Sequence, residues 1–226
     1  MLLVERVKMK DKELVTKLYN NASFLSKIKQ TYREKICPFR PIERFLPEGD
    51  YSILDVGCGS GWFGLKNTVF KKGISYVGLD TNPASLAEAK KALLNANNQN
   101  IVFESTTHEY IQSFKQLDSK KLFDIIVVID VLHHVKYKDL NEFISEVTKK
   151  LAPDGMLIIK DMSTKPFYKK AVNQLHDLIL AREWIEHIDT DYLIKVMCEH
   201  RLSLVHKEEY SSGPYAHYLT VFSHYD

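Results

Sequence analysis

The sequence predicts an α/β fold, an open parallel sheet with helices on both faces, and three observations carry that expectation. From residue 51 to residue 162, apolar runs of strand length alternate with amphipathic runs of helix length, which is the pattern of βαβ units. The segment FDIIVVID, Phe123 to Asp130, has no polar residue from Ile125 to Ile129, as a strand buried on both faces requires. The stretch ILDVGCGSGWFG, Ile53 to Gly64, sets four glycines in eight residues directly behind an apolar run. That composition suits a strand-to-helix turn whose backbone approaches a ligand closely.

The elements follow in order. Residues 11–35 place Leu14, Val15, Leu18, Phe24, Leu25 and Ile28 at roughly helical spacing, in two pieces broken near Asn20 and Asn21. Three prolines in ICPFRPIERFLPEGD punctuate a short helix and a turn. YSILDVG is the first strand, with a helix from about Trp62, and ISYVGLD is the second. Pro83 opens the helix PASLAEAKKALLNAN, where its missing N–H is harmless. NIVFES and FDIIVVID are the third and fourth strands. KDLNEFISEVTKKLAPDG reads as a helix closed by Pro153 and Gly155, before the fifth strand MLIIKD. KPFYKKAVNQLHDLILAREWIEHI reads as a long helix, followed by a shorter one near 190–200. LSLVHKEEYS and HYLTVFSHY, joined through SGP, form a closing antiparallel hairpin.

Composition bounds the function. With 226 residues, 45% hydrophobic and 27% charged, the chain can bury a substantial core without staples. A formal net charge of +2 gives no global field for a polyanion. Cys37, Cys58 and Cys198 form no C-x-x-C pair, so neither a zinc site nor a disulfide framework is indicated. The N-terminal apolar run is too short and too charged for a signal peptide, and no stretch reaches the length needed to span a bilayer. The expectation is a soluble, cytoplasmic, single-domain protein.

The glycine turn admits two readings. Gly59 to Gly64 spells G-x-G-x-x-G, the dinucleotide fingerprint. Read from Ile53, the same residues spell two apolar positions, an acid, an apolar position and G-x-G-x-G, which fits S-adenosylmethionine (SAM). Asp80, 19 residues past Gly61, ends the second strand and suits ribose hydroxyls in either case. Asp55 discriminates. In the dinucleotide reading its carboxylate sits where sheet meets packed helix, which is unfavourable unless paired. In the SAM reading it ends the strand at the pocket rim, where it can hold a cationic ammonium. The closing hairpin also leaves little room for the second domain that a dinucleotide oxidoreductase usually needs.

With ILDVGCGSG, YVGLDTNP, FDIIVVIDVLHHV and LAPDGMLII in this order, the chain resembles the class I SAM-dependent methyltransferases, in particular the small-molecule branch that includes quinone-biosynthesis enzymes. The resemblance runs from about Ile53 to Lys160. It implies a Rossmann-like three-layer sandwich whose sheet has seven strands, mostly parallel with an antiparallel C-terminal hairpin. It divides the single domain into a helical cap (1–48), a SAM-binding core (49–162), a helical insertion over the substrate (163–200) and the hairpin (201–226). It implies that Asp55, Gly57, Gly59 and Gly61 contact the methionine part of SAM, that Asp80 takes the ribose, and that Thr81 and Asn82 lie beside the adenine. Ser105 or Thr106 stands where relatives often carry an acid near the adenine amine. Asp130 faces both the sulfonium end and the acceptor. The product is S-adenosylhomocysteine, and no metal is expected.

Methyl transfer is an in-line displacement that depends on positioning and on the removal of water. A hydroxyl acceptor also benefits from a base, for which histidine is suited near neutral pH. His133 and His134 lie at the carboxyl end of the fourth strand, where open α/β sheets bind ligands; each reads either as that base or as a capping or packing residue. On the late helix Arg182 interrupts the stripe Ala171, Leu175, Leu178 and Ile185, while Trp184 and His176 lie on neighbouring stripes. Arg182 reads as buried-acid partner, as a snorkelling side chain, or as an anion-binding group; with His176 and Trp184 it is carried as a substrate-binding candidate. Phe39 and Arg40 are candidate pocket residues. Cys198 reads as core, and KYKDLNEF and KKL read as solvated helix faces. The acceptor class is a small molecule, lipid-like or aromatic, with oxygen favoured. A protein or RNA methyltransferase, a SAM-binding protein without transferase activity, and a dinucleotide-binding protein are the alternatives.

Overall fold

The computed structural model describes residues 11–69 (the Leu25 side chain excepted), 71, 73–105, 114, 117, 118, 120–163 and 188–225. Seven strands form one sheet: β1 (Tyr51–Val56), β2 (Ile74–Asp80), β3 (Ile101–Ser105), β4 (Phe123–Ile129), β5 (Leu151–Met162), β6 (Leu202–Ser212) and β7 (Tyr215–His224). Their order is β3-β2-β1-β4-β5-β7-β6. The first five are parallel to one another, and β7 runs antiparallel to both β5 and β6. The order reverses between β1 and β4, and that switch point opens a crevice at the carboxyl ends of the strands.

Successive strand residues point to opposite faces, and the core divides accordingly. Ile53 and Tyr76 pack in one cluster with α1 (Asp11–Leu18), α4 (Trp62–Thr68) and α5 (Pro83–Ala96). Leu54 and Val77 pack in the other with α6 (Tyr137–Thr148) and α7 (Thr190–Glu199). The helices start where the sequence supplies caps. Ser23 accepts from the Ser26 N–H ahead of α2 (Phe24–Ile36), and Asn82 accepts from the N–H groups of Ala84 and Ser85 ahead of α5, each satisfying helix-end donors that have no intrahelical partner. A short helix α3 (Arg40–Glu43) follows α2. Lys66 on α4 ties this cap down, meeting Asp11 at 3.6 Å, Glu43 at 3.0 Å, and Glu34.

Three expectations are corrected. The helix before β5 ends at Thr148, and LAPDG belongs to the strand: Leu151 pairs with Phe123, and the next pairing is Ile125 with Met156. The residues left over bulge outward, which accommodates a proline that cannot donate to the ladder. Lys150 is not solvated; it is buried, and its Nζ donates to the carbonyls of Leu117 and Asp118. Cys198 is exposed, because the buried face of α7 is defined by Leu193, Val196 and Met197, and the next residue turns about 100° away. The expected long helix at 165–188 lies almost wholly outside the described residues, of which it reaches only Ile188.

Candidate active site

The glycine turn joins β1 to α4 at the switch point. Gly57, Gly59 and Gly61 have φ of +79°, +56° and +78°, a region that side chains disfavour. The N–H groups of Gly57 and Cys58 both donate to the Leu79 carbonyl, at 2.7 and 2.9 Å, which fixes the turn to the end of β2. The Tyr19 hydroxyl donates to the Ser60 carbonyl at 2.7 Å, bringing α1 onto the same loop. A Cβ on Gly59 would meet nothing within 4 Å, whereas one on Gly61 would come within 2.5 Å of the Phe103 ring. The first glycine therefore faces open space and the second faces core.

Asp80 organises the far side. One carboxylate oxygen accepts from the Gly59 N–H and the other from the Asn82 N–H, both at 2.7 Å. Each oxygen retains a further lone pair for an incoming hydroxyl. Asn82 spends its side-chain oxygen on the α5 cap, and Thr81 follows Asp80 in the same turn.

Asp55 does not stand at the rim. It is 1% exposed, and its Oδ2 accepts from the Tyr76 hydroxyl at 2.5 Å. β1 runs one residue beyond it, so its side chain leaves the strand beneath the turn; even so it lines the cavity with Arg33, Phe39, Gly59, Trp62 and Ile129. Burial pushes its carboxyl up to about 7, against the Tyr76 hydrogen bond. Such a group gains from any cation brought into the cavity. Its burial also removes much of the geometric contrast drawn from sequence, because Tyr76 pairs it whichever ligand is bound.

Asp130 has φ of +54°, a conformation held only where surroundings impose it. Its Oδ1 lies 2.6 Å from Lys160 Nζ, and its Oδ2 lies 3.9 Å from Arg33. Burial works against its charge, but Lys160 and Arg33 outweigh it and hold the carboxyl far below the usual range. Lys160 also reaches Cys37 Sγ at 3.1 Å. Behind it on β7, His217 is buried with neither ring nitrogen hydrogen-bonded; burial and Lys160 push it down to about 4.

His133 and His134 lie on a 3-10 turn after β4. Their rings are 4.1 Å apart, with His133 buried and His134 exposed. His133 Nδ1 lies 2.6 Å from Asp161 Oδ1 at the end of β5, and its backbone N–H donates to the other carboxylate oxygen at 3.3 Å. Burial opposes ionisation of Asp161, but His133 outweighs it and lowers the carboxyl.

The structure thus brings Asp55, Gly57, Gly59, Gly61, Asp80, Asp130 and His133 to one end of the sheet. Phe39 lines the cavity, while Arg40 is exposed and does not; on this cap the inward arginine is Arg33. Thr106, His176, Arg182 and Trp184 lie outside the described residues. Arg33, Tyr76, Lys160, Asp161 and His217 went unmarked in the sequence. Only the ionisable pair closing the apolar run MLIIKD gave a signal, since open sheets present such strand ends to ligands.

A family model for a methyltransferase domain matches residues 28–207. The chain belongs to that family. This methyltransferase domain is similar to the ubiquinone biosynthesis O-methyltransferase of Bradyrhizobium diazoefficiens, with 25% identity over 186 residues covering 79% of this chain and 68% of the relative. The enzyme of the same name from Bartonella tribocorum is 33% identical over 133 residues, covering 58% of this chain and 50% of the relative. With 37% of the Rickettsia conorii relative covered, the chain spans between about a third and two thirds of these proteins. Among solved structures, magnesium protoporphyrin IX methyltransferase from Synechocystis PCC 6803, with bound S-adenosylhomocysteine, shares the fold at TM-score 0.67 and 16% identity, covering 90% of this chain and 89% of that one. A SAM-dependent methyltransferase from Methanosarcina mazei does so at 0.64 and 21%, covering 81% and 96%.

SAM is therefore the cofactor, and the residues present fit it: the open face of Gly59 leaves room for close approach, and the buried Asp55 favours a cation. Among the described residues no His, Cys, Asp or Glu cluster is set to hold a metal, and no helix is long and apolar enough to cross a membrane.

Proposed function

We propose that the protein methylates an oxygen of a small-molecule acceptor, lipid-like or aromatic, with His133 receiving the acceptor's proton. SAM supplies the electrophilic methyl group and is released as S-adenosylhomocysteine. The observation that carries this reading is the His133–Asp161 contact of 2.6 Å at the carboxyl ends of β4 and β5. A carboxylate at Nδ1 holds the imidazole in one tautomer and stabilises it once protonated. The three relatives' common name, O-methyltransferase, supports oxygen as the acceptor.

In this reading Asp55 holds the ammonium and Arg33 the carboxylate of the methionine part. Gly57, Gly59 and Gly61 admit it closely, Asp80 receives the ribose hydroxyls, and Thr81, Asn82 and Thr106 border the adenine. Asp130, kept ionised by Lys160 and Arg33, faces the sulfonium. His134 lies beside the acceptor entrance. His176, Arg182 and Trp184, on the segment 163–200, bind the acceptor; the cap 1–48 and the hairpin 201–226 complete the single domain. Three cysteines without a disulfide among them suit a reducing cytoplasm.

The test is methyl transfer from labelled SAM to a panel of phenols, catechols and their alkylated analogues. The expected product is a methyl ether formed in step with S-adenosylhomocysteine. Label recovered in an amine, in RNA or in protein, or no transfer across the panel, overturns the reading.

A further inference from the structure

The outer face of α2 is unusual. Phe24, Ile28, Tyr32 and Ile36 recur every fourth residue and are 76%, 39%, 49% and 36% exposed. At 100° per residue they form one stripe along a helix about 20 Å long. The opposite face, through Gln30 and Arg33, lines the cofactor cavity, so the stripe lies on the outside of the wall that covers the site.

Charge is sorted the same way. Residues 1–44 carry eleven basic and five acidic residues, a formal +6, whereas residues 45–226 carry 20 basic and 24 acidic, a formal −4. Three of those five acids, Asp11, Glu34 and Glu43, are turned onto Lys66. Lys35 is exposed within the same outer arc of α2 as the stripe, and Lys29 is exposed at its edge, where it also lines the cavity. What this helix presents outward is apolar side chains interleaved with lysines and no acid.

We infer that the outer face of α2 docks on an anionic lipid bilayer surface. An amphipathic helix with large apolar side chains and flanking lysines lies in the headgroup boundary, held by apolar burial and by attraction to anionic lipid. A second copy of the chain fits this face poorly. A two-fold contact would lay a lysine-bearing face without acids on its own copy, and like charges at an interface select against pairing. Docking on lipid would also bring the covered site to the surface where apolar acceptors partition, although the inference does not depend on the acceptor.

The test is flotation of the purified protein with vesicles of phosphatidylcholine alone and of phosphatidylcholine with phosphatidylglycerol, at low and high salt. The protein is expected to float with the anionic vesicles at low salt and to be partly released by salt. Phe24→Ser with Ile28→Ser should lower the bound fraction about tenfold, and Lys35→Glu should lower it several-fold at low salt, while the melting temperature stays near wild type. Should the double serine variant fail to fold, Phe24→Ser alone gives the same readout, because that side chain is the most exposed of the four. Wild-type protein that floats with neither vesicle overturns the inference. So does flotation unchanged by all of these substitutions, or a dimer that Phe24→Ser dissociates without any vesicle binding.

Discussion

Asp161 Oδ1 stands 2.6 Å from His133 Nδ1, and the second oxygen of the same carboxylate accepts from the His133 backbone N–H. One side chain on β5 thus fixes both the ring and the turn that follow β4. Two parallel neighbours are tied at their carboxyl ends, so the imidazole is oriented by the sheet itself.

That relationship separates a base from a packing residue. His133→Ala is expected to lower kcat by about 100-fold or more, in the range of a lost general base. Asp161→Asn should lower it roughly tenfold or more while S-adenosylhomocysteine affinity stays within about twofold. Steady-state kinetics beside calorimetric titration read both. Equal losses of turnover and cofactor affinity would mean that the pair only packs.

Asp55 makes cofactor affinity depend on pH. Its carboxyl is pushed up to about 7 by burial, so below that pH the cavity loses the charge that favours a cation. Affinity for S-adenosylhomocysteine should weaken as pH falls from 8 to 6, and Asp55→Asn should abolish that slope. The same shift opposes folding of the ligand-free protein at high pH: its folded carboxyl is raised above the unfolded value, so the favourable state is lost as pH rises through about 7. Asp55→Asn should therefore raise ligand-free stability at pH 8 by up to about 4 kcal/mol and by less at pH 5. Chemical denaturation at the two pH values checks the sign.

Gly59 in the turn and Gly64 in α4 should fail differently. Gly59→Ala places a side chain into open space at φ +56°. It should cost about 1–2 kcal/mol of strain and a large share of cofactor affinity. A Cβ on Gly64 falls 2.2 Å from the Tyr76 ring, so Gly64→Ala should cost about 1–3 kcal/mol or more through overpacking. It should also disturb Asp55 through its Tyr76 partner. A Gly59→Ala protein that binds as wild type would remove this glycine from the cofactor site.

His217 gives an acid-side signature. Burial and Lys160 lower it to about 4 from an ordinary 6.5, so between those values the unfolded chain binds the proton and the folded chain does not. Stability should fall as pH drops from 6.5 to 4, by about 3 kcal/mol at most from this group. His217→Phe should flatten that part of the curve. An unchanged slope would assign acid sensitivity to other groups.

The sheet and its cofactor turn could be read from sequence because their signals are local. Gly57, Gly59, Gly61 and Asp80 announce a turn and a strand end within a few residues of one another, and Asn82 followed by Pro83 announces the next helix. The polar network around Asp130 has no such signal. Arg33, Lys160 and His217 come from α2, β5 and β7, and only the strand order places them together. The same reason hid Tyr76, whose partner Asp55 sits across the β1–β2 pair. Lys150 adjoins an exposed helical surface in sequence, while its burial is decided by the Leu117 and Asp118 carbonyls from elsewhere in the chain; Cys198 follows the buried Met197 but turns about 100° away from it. The end of β1 cannot be fixed to one residue from its apolar pattern, so the sequence places Asp55 at the rim while the structure sets it beneath the turn.

The most direct measurement is a calorimetric titration of the purified protein with S-adenosylhomocysteine, with NAD and NADP as controls, repeated on Asp80→Ala. Micromolar binding of S-adenosylhomocysteine alone, weakened at least about tenfold by the substitution, is the expected result. Binding of a nicotinamide nucleotide in its place would contradict the assignment of the glycine turn to SAM.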